Sequence, residues 1–134
     1  MDAAFLVLGC SVFVILGFGH AALMLFTTRF EPRDHDLLEK LKSSRTSMSN
    51  TGNMWDAVKG FHISHSLGLV IYGGFYITLA FENNNYLKSS TPLNLGLFIV
   101  PIIYIFLAHR FWYSVPRNCF IVAFGFLATS TIFK

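Results

Sequence analysis

AAFLVLGCSVFVILGFGHAALMLFTT, residues 3–28, contains no Asp, Glu, Lys or Arg. At about 1.5 Å of rise per residue, some 20 apolar residues in a helix cross a hydrocarbon core of roughly 30 Å. In lipid every backbone polar group has to find its partner inside the segment, so a run of this kind is read as a membrane-spanning helix. Residues 60–81, 89–109 and 118–133 repeat the pattern, the last of them a little short. The reading is an all-α protein: one integral membrane domain over residues 1–134, built as a four-transmembrane-helix bundle. Its spans are expected at about 3–28, 54–81, 92–111 and 117–133.

The 134 residues leave room for four spans and one longer loop, without a separate soluble domain. Eleven of the 17 charged side chains fall between Arg29 and Lys59. A net charge of +3 is too small, and too evenly split beside the lipid boundary, to point to nucleic acid. No motif recurs at a fixed period. The first span lacks the positive leader of a signal peptide and outruns its apolar region, so it is read as a retained anchor. Cys10 and Cys119 lie early in the first and fourth spans. With alternating helices they sit towards opposite faces, beyond the roughly 7 Å between Cα atoms that a disulfide tolerates.

Four spans place the first and third loops on one side of the bilayer. Those loops and their flanks carry Arg29, Arg33, Lys40, Lys42, Arg45, Lys59, Arg110 and Arg117, against Lys88 and Lys134 opposite. By the positive-inside rule both termini are extracytoplasmic and residues 30–58 are cytoplasmic. The expected location is a bacterial inner membrane. Within the loop, Asp34 is a candidate N-cap for a short amphipathic helix carrying Leu37, Leu38 and Leu41. That helix is read either as lying on the inner membrane surface or as a solvated connector. Residues 43–53, rich in Ser, Thr, Asn and Gly, read as a flexible linker. Asn53 is a candidate cap for a second span that starts near Met54. Trp55, Trp112 and Tyr113 suggest a cytoplasmic aromatic belt, with Tyr86 as the outer counterpart. Pro101, inside the third span, removes one backbone hydrogen bond and predicts a kink.

Four of the five histidines lie in or beside spans. Counting from the nearest charged residue, His20 is about 13 Å from the cytoplasmic end of its helix, His65 about 9 Å and His62 about 4–5 Å. His109 adjoins Arg110 at the inner boundary. Polar side chains at such depth usually face the bundle interior or a wet cavity. Gly17 with Ala21, and Ser64 with Gly68, have the small-xxx-small spacing that lets helices approach closely. His20 and His65 are therefore expected to face inward near one another.

Three readings of this cluster stay open. The histidines and serines are interhelical hydrogen-bond glue, worth about 0.6–2 kcal/mol per contact. Alternatively His20, His62, His65, His109 and Arg110 line a cytoplasm-facing pocket for a lipid headgroup or small anion, with Arg110 making its mouth electropositive. In the third, the cluster holds a metal or a b-type haem, with His20 and His65 as axial ligands. A hydrolytic metal site would want a carboxylate base, and Glu82 and Asp56 both lie away from the histidines. Adjacent Ser and His point about 100° apart on a helix and make no nucleophile–base pair locally. No catalytic residue is nominated.

The run Trp55-Asp56-Ala57-Val58-Lys59-Gly60-Phe61-His62-Ile63-Ser64-His65-Ser66-Leu67-Gly68 resembles a family of small four-helix bacterial membrane proteins. In that family a Trp precedes a Gly-Phe pair and a Ser-His-Ser-Leu-Gly segment, downstream of a polar loop rich in Arg and Ser. The resemblance implies the same architecture and carries no assigned activity, substrate or cofactor. Two functions follow as expectations: a small non-catalytic accessory, assembly or regulatory subunit of a larger membrane complex or homo-oligomer, or a membrane protein that binds a ligand or cofactor through its histidines.

Overall fold

The computed structural model describes residues 1–48 and 50–132. Ser49, which belongs to the expected linker, and Phe133 and Lys134, at the end of the expected fourth span, lie outside the described residues. The chain runs α1 (Ala3–Phe26), α2 (His35–Ser43), α3 (Met54–Glu82), α4 (Asn84–Ser89), α5 (Thr91–Phe111) and α6 (Ser114–Ile132). Among the described residues there is no strand, and α1, α3, α5 and α6 are each long and apolar enough to cross a membrane. The all-helical, four-span architecture expected from the sequence is the one observed.

Local chemistry sets most boundaries. Asp2 carries a carboxylate that accepts from the backbone N–H groups of Ala4 and Phe5, satisfying two free donors at the start of α1. Asp34 caps α2 as the sequence suggests, accepting from the N–H groups of Asp36 and Leu37. Asn53 does the same for α3: its Oδ1 accepts from Asp56 N–H at 2.8 Å, and its Nδ2 donates to the Asp56 carboxylate. Pro116 lies in the first turn of α6, where a missing N–H costs nothing. That helix starts at Ser114, a few residues before its apolar run. The sequence gives no sign of α4. Asn83 opens it by accepting from Tyr86 N–H, and Asn94 of α5 closes it by donating to the carbonyls of Leu87, Lys88 and Ser90.

The chain divides into two compact units whose boundaries fall within α1 and α3. One comprises residues 1–16 and 69–134, the other residues 17–68. In the first, Leu6, Cys10, Tyr76, Ala80, Leu87, Leu97 and Leu127 form one buried cluster, and Phe13, Leu69, Ala108, Phe120 and Ala123 form another. Phe13 anchors the second, with its ring centroid 4.7 Å from Tyr72 and 5.2 Å from Phe120. Glycine permits the closest approach of α1 to α3: a Cβ on Gly73 would stand 2.6 Å from the Cys10 carbonyl oxygen. Cys10 and Cys119 are both free thiols.

Pro101 has a specific compensation. Without an N–H it leaves the carbonyl four residues earlier, that of Leu97, without its helical donor. The Tyr72 hydroxyl donates to that carbonyl at 2.8 Å. One turn away, Tyr76 donates to the Leu93 carbonyl at 2.8 Å. Its approach requires Gly96, where a Cβ would meet the Tyr76 hydroxyl at 2.7 Å. In hydrocarbon a freed carbonyl is costly, and Tyr72 of α3 restores the balance on α5, while Tyr76 adds a second α3–α5 hydrogen bond.

The second unit has its own small core of Met24, Leu38 and Trp55, flanked by Phe30, Leu41 and Val58. Two expectations are corrected by it. Leu38 of α2 packs on Met24 and Trp55 with Leu41 beside it, so two leucines of the amphipathic helix dock on the chain's own helices, while Leu37 stays exposed. Trp55 belongs to this core at 4% exposure and not to an interfacial belt, with the Lys59 ammonium 5.7 Å above its ring. Tyr113 and Tyr86 are exposed, as belt residues would be. The expected linker is closed at both ends: Arg45 pairs with Asn53, Met54 N–H donates to the Ser44 carbonyl, and Gly52 turns the chain at φ +89°.

Candidate functional site

The site is built in the unit of residues 17–68, from the C-terminal end of α1, the beginning of α3 and the segment after α1. His20 projects from α1, and His62 and His65 project from α3. A separation of three residues puts both α3 rings on one helix face. His20 Nε2 lies 2.8 Å from His62 Nδ1, a hydrogen bond in which one ring donates and the other accepts. The centroids of these two rings are 5.0 Å apart. His65 stands edge-on to His20 with centroids 5.6 Å apart. All three rings are partly buried.

Aromatic side chains wall the group. Phe30, just beyond α1, packs 4.6 Å from the His20 ring and 4.9 Å from the His62 ring. Phe61 stacks on His65 at 6.3 Å with only 11° between the planes. Sequence reasoning missed Phe30. The available signal was an aromatic residue one position after Arg29, where the chain turns back: Glu31 N–H donates to the Thr28 carbonyl.

Of the five nominated residues, the structure brings His20, His62 and His65 together in one unit. His109 and Arg110 belong to the other unit, at the end of α5. Both are exposed there, with the Arg110 guanidinium 5.2 Å from the Phe111 ring. His20 and His65 lie near one another, as expected, and His62 joins them as the ring hydrogen-bonded to His20. The serines differ from expectation. Ser66 Oγ donates to the His62 carbonyl, and the exposed Ser64 donates to the Phe61 carbonyl, each bond staying within α3. Hydroxyls committed to their own helix do not serve as nucleophiles for a neighbouring imidazole. Gly68 has nothing within 4 Å of a built Cβ and Ser64 is exposed, so the Ser64/Gly68 pair is not a close-packing seam.

A b-type haem fits this arrangement poorly. Its ring would have to lie between His20 and His65, yet the His20 nitrogen that would ligate iron is bonded to His62, and Phe30 lies against both rings. An apolar depression of about 240 Å³ exists elsewhere, bordered by Val12, Asn118, Cys119 and Val122, with no histidine in its wall. No known protein family, curated protein or solved structure matches the chain.

Proposed function

We propose that this chain is a small non-catalytic accessory, assembly or regulatory subunit of a larger membrane complex. The observation that carries the reading is how little the four long helices bury among themselves. Within the most apolar part of each, only 17–28% of residues are covered by the rest of the chain. Lipid can cover the remainder, and so can the helices of a partner, which compete on packing because lipid tails are as apolar as leucine. Two further features support it. Extramembrane mass is small, its largest part being the connection of residues 27–53 that holds α2, and the serines beside the histidines are bonded to their own helix.

The charge distribution sets the orientation in this reading: residues 30–58 cytoplasmic, both termini extracytoplasmic, in a bacterial inner membrane. The resemblance of the 55–68 segment to small four-helix bacterial membrane proteins is consistent with such a location. The histidines then act as a polar joint between α1 and α3, with the His20–His62 bond at its centre. Purification from native membranes in a mild detergent tests the role. A discrete partner species that survives size exclusion is expected; migration as an isolated 15.1 kDa chain under all mild conditions would refute it.

A further inference from the structure

We propose that the His20–His62 hydrogen bond is a pH-sensitive latch between α1 and α3, closed while the two rings share a proton and released when both are fully protonated. The latch goes beyond the accessory-subunit reading, since its parts all lie within residues 17–68 and it works whatever partner the helices meet. The bond limits how many protons the pair can hold. A neutral imidazole carries one N–H and an imidazolium two. His20 Nε2 and His62 Nδ1 stand 2.8 Å apart with one proton between them. The closed pair, with four ring nitrogens, therefore holds at most three ring protons and a net charge of +1. A fourth proton would make both facing nitrogens donors, and two N–H groups pointing at one another do not fit a gap of 2.8 Å.

The surroundings do not answer a second positive charge. Among the described residues, neither His20 nor His62 is bonded or ion-paired to a carboxylate. The side chains facing them are His65, edge-on to His20, and the apolar rings of Phe30 and Phe61. Lys59, three residues before His62 on the same face of α3, holds its ammonium over Trp55 and adds a like charge. The nearby acids are engaged or balanced. Asp56 is held by Asn53, Asp34 caps α2, and Glu39 pairs with Lys42. Arg29 and Glu31 flank Phe30 with opposite signs, while Asp36 and Lys40 of α2 are exposed. Two imidazolium rings with centroids 5.0 Å apart would repel without a counter-charge, and parting the helices admits the water that solvates them.

The pH window follows from the open state, where a hydrated imidazole titrates near about pH 6.5. Below that value the open pair holds one more proton than the closed pair can, so the opening constant rises about tenfold per unit fall in pH. Above it the bond contributes in full. The fold also supplies a reporter. Met24, four residues after His20, packs on Trp55, seven residues before His62, and that tryptophan is only 4% exposed. Separation of the rings loosens this contact and lets water reach the indole.

The test uses the full-length Trp112→Phe protein in nanodiscs, where Trp55 is the single tryptophan. Acrylamide quenching of its emission is followed from about pH 8 to about pH 5, with far-ultraviolet circular dichroism in parallel. Quenching should rise by at least about twofold, with a midpoint below about pH 6.5 and no loss of helix. His20→Gln and His62→Gln, made in the same background, should abolish the pH dependence, because glutamine takes no proton. His35→Gln and His109→Gln, both at exposed positions, should retain it. A measurement on the wild-type protein needs no substitution: the imidazole nitrogen–nitrogen coupling should vanish over the pH range in which quenching rises. A flat quenching profile would overturn the proposal, as would a rise that accompanies loss of helix. So would a transition that survives either His20→Gln or His62→Gln, one that His35→Gln removes, or a coupling that persists through it.

Discussion

Gly73 and Gly74 are adjacent in α3, and substituting each by alanine separates backbone propensity from packing. Alanine is favoured over glycine in a helix interior by about 0.8–1.0 kcal/mol, a gain common to both positions. At Gly74 the new methyl has nothing within 4 Å. At Gly73 it would lie 2.6 Å from the Cys10 carbonyl oxygen, 2.7 Å from Val14 Cγ2 and 3.2 Å from Phe13 Cβ. Val14 can shift its methyl, but the Cys10 oxygen belongs to the backbone of α1 and yields only if the helix moves. Overpacking of this kind costs about 1–3 kcal/mol. The propensity gain cancels in the comparison, so Gly73→Ala should be less stable than Gly74→Ala by about 1–3 kcal/mol. Equilibrium unfolding in mixed micelles, followed by far-ultraviolet circular dichroism, gives the difference. Equal stabilities, or a more stable Gly73→Ala, would refute the α1–α3 register.

Tyr72→Phe should cost about 1 kcal/mol by leaving the Leu97 carbonyl unsatisfied, and the cost should shrink in a Pro101→Ala background, where the helix regains its own donor; equal costs in both backgrounds would argue against the compensation. Gly96→Ala should displace the Tyr76 hydroxyl from the Leu93 carbonyl and destabilise by a similar amount, about 1 kcal/mol, measured in the same micelles. A double-mutant cycle of His20→Gln and His62→Gln should return a coupling of about 0.6–2 kcal/mol, whereas additive effects would mean that the two rings do not interact. A reporter fused after Lys134 should be active only if it requires an extracytoplasmic location; activity confined to the cytoplasm would invert the proposed orientation.

The spans were legible because absence of charge over about 20 residues admits few other solutions. The caps were legible for a similar reason: Asp34 and Asn53 are short polar side chains placed immediately before amphipathic or apolar periods. What the sequence left open depends on rotation of one helix about its axis relative to another. A spacing of three residues puts His62 and His65 on one face, but which of them hydrogen-bonds His20 and which stands edge-on to it is decided by the azimuth of α1. The same uncertainty hid the close approach at Gly73, while Ser64 and Gly68, equally small, face outward. Trp55 looked interfacial because a tryptophan at the end of a span usually is. The return of α2, which brings Leu38 over it, is a tertiary event with no local mark. α4 escaped because six polar-leaning residues carry no measurable period.

The shared hydrogen bond between His20 and His62 is the core of the joint between α1 and α3, and imidazole nitrogen NMR reads it directly. In protein labelled with ¹⁵N only at histidine, a nitrogen–nitrogen coupling across the bond should link one imidazole of α1 to one of α3. It should disappear in both His20→Gln and His62→Gln and persist in His109→Gln. Five mutually uncoupled imidazoles, in a protein that circular dichroism shows to be fully helical, would contradict the account.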